Sequence, residues 1–403
     1  MTNELMVPEV GRRERAIDPE AMRLPKSLSP VETWGFGLTG HLAWIGTAPI
    51  LNAELGSKAI FVWLPAVIVG MLINLQVKRL GEHWSSMSGG TPNYTSRLLK
   101  KYPGLGRFAA IAYYLSWVAF IPLNATILAE LIDQTLALVG IPFPKILFIV
   151  GFTLIPYVIA FSGSRALAIL HAFFVIPAVG CLLLFGIQGF ICLALSPNNL
   201  DLFPSRWSFP TLAEWIKWFL FTSYVSYSCE SASSFVADSQ RPRKTLQFLK
   251  IAAGLMPLIL LGNTWVLSRL VTQPELGGDT FNNLFVAAFP FWGKSSAILV
   301  TLLIVSSSLI ACATAVSNSP RMLYQLARDG YLAPVFKVVS PSGVLQPALI
   351  FSCLISIICL IWGDISSIIV VTGVSFLALN SVTLTIFFIK SICQLFFKHF
   401  KIA

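Results

Sequence analysis

Apolar residues run in blocks along nearly the whole chain, broken by short polar connections that carry most of the charge. A helix needs about 20 consecutive apolar residues to cross a hydrocarbon core, and blocks of that size recur throughout. The pattern predicts ten spans, centred on Trp34–Leu51, Ala59–Leu75, Arg107–Leu131, Ile146–Ser162, Leu167–Leu195, Leu212–Ala237, Leu249–Val271, Ser295–Val316, Leu345–Trp362 and Ile365–Phe388. The longest connections, residues 77–106 and 317–346, are about thirty residues each and partly helical in pattern, so they leave no room for a soluble domain. The expected organisation is a disordered tail over residues 1–30, a first set of five helices over 31–196, a second set of five over 197–393 and a basic tail over 394–403.

Two of these spans are unlike an ordinary membrane helix. In the first, WGFGLTGHLAWIGTAP (Trp34 to Pro49), Gly35, Gly37, Gly40, Gly46 and Pro49 weaken a helix, while Thr39, His41 and Thr47 bring polar groups that hydrocarbon penalises. In the sixth, YVSYSCES (Tyr224 to Ser231), serines alternate with tyrosines just ahead of Glu230. Glycine also lets helices approach closely, and serine hydroxyls also bond back to their own backbone, so either span alone has a plain packing reading. Their recurrence five spans apart favours interruption. Because five is odd, the second set enters the membrane in the opposite orientation, the pattern of an inverted repeat. Interrupted helices in such repeats meet near the bilayer midplane, where exposed N–H and C=O ends suit a zwitterion.

Composition agrees with a polytopic membrane protein: 403 residues, 56% hydrophobic and only 11% charged. The first thirty residues carry Arg12, Arg13, Arg15, Arg23 and Lys26 with no apolar core ahead of a small-residue cleavage site, so no cleavable signal peptide is expected. Most lysines and arginines fall on one side of the predicted topology. Lys58, Lys145, Arg206, Lys217, Arg269 and Lys294 are the minority on the other, which puts both termini in the cytoplasm, in a plasma or inner membrane. The net charge of +10 therefore reports topology and contact with the lipid bilayer, including anionic lipid, rather than nucleic acid. The seven cysteines, an odd number, sit in or at the ends of spans and are read as apolar packing, not a disulfide framework.

The absence of a phosphate-binding glycine loop, a dinucleotide fingerprint, a nucleophile elbow and a His-Glu-x-x-His helix removes support for ATP-driven transport and the common hydrolase chemistries. No enzyme, cofactor or metal site is expected. His83 and His399 lie at span ends, His171 starts the fifth span, and none has metal-ligand spacing with a cysteine or carboxylate.

Glu230 would cost about 2.5–3.5 kcal/mol at a helix centre, so it must face a partner or water, in a functional or gating role or in a bond to unwound backbone. His41 fits a proton shuttle or, more simply, a hydrogen-bonded neutral histidine. Tyr224 and Tyr227 share a helical face, for stacking on a substrate or for packing. Asp238, followed by Arg241, Arg243 and Lys244, reads as one half of a surface or gate ion pair, and an exposed pair is worth about 0–1 kcal/mol.

Three stretches make a more specific pattern. SMSGGTPNYTSRLLKKYPGLG (Ser86 to Gly106) resembles the Ser/Pro-Gly-Gly-x-Tyr approach to the third span of amino acid permeases in the amino acid, polyamine and organocation (APC) superfamily. CESASSFVADSQRPRKT (Cys229 to Thr245) is similar to that family's aromatic-Glu, acidic pair and Asn-Pro-Arg-Arg-Thr pattern, and SPRMLYQLARDGYLAPVF (Ser319 to Phe336) to its signature after the eighth span. The resemblance implies an all-α membrane protein of ten helices in a five-plus-five inverted repeat (LeuT-type), with helices 1 and 6 broken. It also implies alternating access, and an amino acid or related amine as the bound partner. The substrate-contact candidates are then Thr39, Gly40, His41, Ala43, Trp44 and Gly46 in the first span, Ser116, Trp117 and Phe120 in the third, and Tyr224, Ser226, Tyr227, Ser228, Cys229 and Glu230 in the sixth. Asp238, Arg241, Arg321 and Asp329 are the candidates for gating or cytoplasmic ion pairs.

The chain departs from the family at Leu42, Ala43 and Trp44, where a Gly-Ser/Ala-Gly break is usual. It departs also at Pro177, where proton-coupled relatives place a lysine, and at Ile310 and Ala311, where sodium-coupled relatives carry hydroxyls. Many members have twelve spans, two more than the pattern here. The expected function is a secondary transporter for an amino acid or related amine; the alternative is a non-transporting amino acid sensor or a channel on the same fold.

Overall fold

A computed structural model describes residues 24–137, 141–195, 202–204 and 207–362. The tenth predicted span and both tails beyond these limits lie outside the described residues. Within them the structure is helical, and the one β-type feature is an isolated bridge between Leu28 and Ser239. The stretches Pro30–His83, Pro103–Asp133, Arg165–Leu195, Pro242–Leu270 and Thr280–Arg328 are long and apolar enough to cross a membrane, and Lys145–Phe161 and Gln346–Ile361 are shorter apolar helices. Outward-facing Ile146 (80% exposed), Ile176 (75%) and Ile298 (73%) would be untenable in such number in water and suit lipid.

Helix α1 spans Pro30–Leu55, with Pro30 in its first turn. Ser29 caps it by accepting from the Glu32 N–H at 3.3 Å, while Glu32 accepts from the Ser29 N–H at 2.6 Å, a reciprocal box that satisfies two orphan donors. Contrary to the expected interruption, α1 is one uninterrupted α-helix. Gly37 serves close approach instead: a Cβ there would lie 3.0 Å from Ala232 Cβ and 3.3 Å from the Cys229 carbonyl.

Helices α2 (Ile60–His83), α3 (Thr91–Leu98), α4 (Pro103–Ala137), α5 (Lys145–Phe161) and α6 (Ser164–Leu195) follow the predicted spans, with α3 as an additional short helix in the connection. The sixth span begins as α7 (Leu212–Tyr227) and then continues as an eleven-residue 3-10 segment, Ser228–Asp238. Such runs seldom exceed three or four residues, and a long one marks a hinge or a strained site. The seventh span is α8 (Pro242–Met256), a π-type turn Pro257–Gly262, and α9 (Asn263–Leu270). After α10 (Thr280–Trp292), helix α11 (Ser296–Arg328) runs twelve residues past the predicted end of the eighth span, carrying Pro320 inside it, and α12 (Gln346–Trp362) is the ninth. The extension falls in the connection whose pattern is partly helical, and its polar residues Ser317–Arg321 are buried.

Two cores hold the bundle. One packs Trp44, Trp63 and Phe185 among α1, α2 and α6; the other packs Tyr94, Tyr113, Tyr157 and Tyr324 among α3, α4, α5 and α11. Helix α2 approaches α7 so closely that a Cβ at Gly70 would lie 2.6 Å from Ser226 Cβ and 2.8 Å from its carbonyl oxygen. Gly70→Val is expected to lower the melting temperature of the solubilised protein, overpacking of this kind costing about 1–3 kcal/mol. Gly46→Ala, with nothing within 4 Å of the added methyl, is expected to leave it unchanged. Tryptophan-fluorescence melts of the two variants check both statements.

Candidate functional site

The 3-10 segment repeats every three residues, so its side chains stand in rows. Glu230 and Ser233 share one row, and Ala232, Phe235 and Asp238 another. Glu230 is fully buried. Its carboxylate accepts from the Thr91 hydroxyl, from the Tyr113 hydroxyl and, at 3.2 Å, from Ser233 Oγ. The donors come from α3, α4 and the segment itself, and among the described residues the carboxylate forms no ion pair.

Thr91 reaches Glu230 because of the paired glycines before it. Gly89 (φ 77°) and Gly90 (φ 62°) occupy the left-handed region that other residues resist. A Cβ at Gly90 would lie 2.3 Å from Ser233 Oγ and 2.7 Å from the Ser234 nitrogen, and Gly89 N–H donates to the Ser234 carbonyl at 3.1 Å. Backbone therefore touches backbone, and the next side chain falls on the carboxylate.

In the second row, Asp238 accepts from Arg321 Nη2 at 2.6 Å and from Arg321 Nε at 2.7 Å. The guanidinium also stands over the Phe235 ring, 4.7 Å from its centroid, and donates to the Ser317 carbonyl. This pair is buried, not on the surface as its basic surroundings in sequence suggest. Arg241 is exposed and forms no ion pair among the described residues; Asp238 is paired across the bundle instead. Asp329 lies 3.6 Å from Arg97 and accepts from Gln325 Nε2 at 3.1 Å, while Gln325 accepts from the Ser88 N–H at 3.2 Å. The three quoted sequence stretches thus meet at one end of the bundle. The segment just before α1 joins them there, with Leu28 N–H donating to the Asp238 carbonyl at 3.1 Å and Gln240 N–H to the Leu28 carbonyl at 2.9 Å.

The remaining expected contacts are divided. Cys229 and His41 come together, Sγ to Nδ1 at 3.5 Å, with His41 Nε2 3.0 Å from the Ala252 carbonyl. Ser116 donates to the Tyr113 carbonyl at 2.7 Å, and Trp117 lies between the Tyr113 and Phe120 rings with its own N–H unpartnered among the described residues. Trp44 is committed to the core, donating to Thr264 Oγ1 at 2.9 Å, and Ser226 donates to the Thr222 carbonyl at 3.0 Å. Ala43 is half-buried, Gly40 is buried and Gly46 is exposed. The side chains of Tyr224, Tyr227 and Ser228 lie outside the described residues. A cavity of about 30 Å³ beside Arg321 and Ser317 has room for a water but not for an amino acid.

Sequence reasoning missed a further cluster. Thr39 Oγ1 is 2.7 Å from His171 Nε2 on α6 and 3.0 Å from Thr314 Oγ1 on α11. The family pattern points to Pro177 on the fifth span and to Ile310 and Ala311 on the eighth; the polar groups stand six residues before and three or four after those positions. A histidine facing a threonine one helix away leaves no spacing signal along the chain.

The family model described as "Amino acid permease" matches residues 36–402. No curated protein matches the chain in sequence. Among solved structures, it is similar to MHP1, a nucleobase-cation-symport-1 family transporter in a closed conformation with bromovinylhydantoin bound. The TM-score is 0.54 at 13% identity, with 91% of this chain and 78% of that one covered. It is similar also to a Na+-coupled sialic acid symporter in a substrate-bound outward-open state, with TM-score 0.54, 13% identity, and 87% and 77% covered. At that identity the likeness is one of fold.

Removing one partner of a buried ion pair costs about 3–5 kcal/mol, because the other is left charged and unpaired. Asp238→Ala is therefore expected to lower the melting temperature sharply, and Asp238→Ala combined with Arg321→Met to recover most of the loss. Melts of the single and double variants in the same detergent check this.

Proposed function

Because this chain belongs to the amino acid permease family, whose model matches residues 36–402, we propose that it carries an amino acid or a related amine across the membrane, engaging it at the polar joint around Glu230. Membership of that family supports a multi-pass membrane protein and a secondary transporter, and the solved transporters share its fold. The amine substrate rests on one observation: a buried carboxylate held only by hydroxyls. Neutral donors offset part of the cost of its charge, and an ammonium group would supply the missing countercharge.

In this reading the helices form two inverted sets of five, over residues 31–196 and 197–393, and α1, α2, α7 with its 3-10 segment, and α8 rock against the rest. The 3-10 segment is the flexible joint, and Thr91, Tyr113 and Ser233 release Glu230 as the substrate arrives. Asp238, Arg321, Arg97 and Asp329 close the cytoplasmic side, where both termini lie. Trp117, Phe120, Ser116, His41 and Cys229 border the path.

Uptake of labelled amino acids into proteoliposomes tests the proposal, with saturable and competed flux as the expected result. Binding without flux would identify a sensor, and flux that never saturates a channel. Glu230→Gln keeps the shape and an acceptor oxygen, so it is expected to lower flux by roughly ten-fold or more while leaving folded yield and melting temperature near wild type.

A further inference from the structure

The charges inside the bundle do not balance. Among the described residues Glu230, Asp238 and Arg321 are the buried acids and bases, beside two histidines, His41 and His171. Imidazole is ordinarily neutral above about pH 7. Asp238 and Arg321 cancel each other at 2.6 Å. Both oxygens of Glu230 accept, Oε1 from Tyr113 and Oε2 from Thr91 and Ser233, which is the pattern of an ionised carboxylate. The interior therefore carries one carboxylate that no lysine or arginine answers among the described residues. The tenth predicted span adds none, since residues 365–389 contain no lysine or arginine.

An α-amino acid would bring two charges to this interior, and the negative one finds no answer. Deep in a membrane protein a carboxylate is held by a cation or by the free N–H groups of an interrupted helix. Helix α1 is continuous from Pro30 to Leu55, so its interior N–H groups are occupied by its own carbonyls, and Pro49 within it removes a donor. The 3-10 segment likewise directs its N–H groups to carbonyls three residues back. Arg321 already donates to Asp238 through two nitrogens and to the Ser317 carbonyl. Buried donors that lack a partner among the described residues, such as the Trp63 and Trp117 N–H groups, are single and neutral.

We propose that the substrate is a monoamine: an organic cation with one ammonium group, an apolar or aromatic body and no carboxylate. The inference narrows the transport reading above and rests on it. The ammonium takes over Glu230 from the hydroxyls and leaves the interior neutral. The body lies along a row of rings that α4 carries away from Tyr113. Positions 113, 117 and 120 share one face of that helix, with 6.1 Å between the Tyr113 and Trp117 centroids and 6.2 Å between those of Trp117 and Phe120. Such rings cover apolar groups and attract an ammonium to their faces. A second ammonium has no carboxylate to meet, because Asp238 is already neutralised by Arg321.

The test compares, on the full chain, pairs of compounds that differ only by a carboxylate: phenylalanine with phenethylamine, and leucine with isoamylamine. Putrescine supplies a second ammonium, and hydrocinnamate a carboxylate without an ammonium. Binding is read from the concentration that half-saturates the rise in melting temperature, and transport from uptake of labelled compound into liposomes. Each monoamine is expected to bind about ten-fold or more tightly than its amino acid, a buried charge left unpaired being costly, and to enter with saturation. Putrescine is expected to bind more weakly than phenethylamine, and hydrocinnamate not at all. In Glu230→Gln the monoamines are expected to weaken by about ten-fold or more and to lose their advantage over the amino acids. An amino acid that binds as tightly as its amine and enters with saturation overturns the monoamine site and leaves amino acid transport standing. A preference for putrescine, or an advantage of the monoamines that survives Glu230→Gln, overturns it equally. If no compound binds or enters, both the monoamine site and the transport reading beneath it fall. Should Glu230→Gln fail to fold, the paired comparison on wild type decides alone.

Discussion

Glu230 and Asp238 stand on one eleven-residue 3-10 segment in the interior of an apolar bundle, and each must be satisfied by groups brought from elsewhere in the chain. The two solutions differ. Asp238 is neutralised by the Arg321 guanidinium, which uses two of its donors on the carboxylate, a third on a carbonyl and its face on Phe235. Glu230 receives only hydroxyl protons. The first arrangement is a fixed joint that costs several kcal/mol to break from one side; the second gives the carboxylate no countercharge among the described residues.

The glycines follow from the same constraint. The hydroxyls of Thr91 and Ser233 are short, so the backbones that carry them must come close, and elsewhere too the helices approach where a side chain is missing. Gly37 admits Ala232, Gly70 admits the backbone of Ser226, and Gly90 lies against Ser233 and Ser234 while delivering Thr91. A three-residue repeat aligns Phe235 with Asp238, which lets one arginine engage both. Local helix geometry and long-range electrostatics thus select the same residues.

The polar clusters occupy a single path through the bundle. His171, Thr39 and Thr314 tie α6, α1 and α11; Phe36 and Phe235 carry the contact onward; Arg321 and Asp238 close on the 3-10 segment, to which Leu28 adds a backbone bridge. A change at any of these points alters the packing of helices that belong to different halves of the sequence.

Hydrophobic periodicity alone determined the all-helical membrane architecture, nine of the span positions now described, and the unusual character of the stretch around Glu230, because a span's length and a buried charge are properties of consecutive residues. Three short motifs determined the family. The partners of Glu230, the burial of the Asp238–Arg321 pair, the continuity of α1 through its glycines and the meeting of His171 with Thr39 were decided only by the tertiary structure. Apart from the Glu230–Ser233 contact they join residues more than eighty positions apart, and the same glycine or serine can break a helix or pack one according to what the neighbouring helix presents.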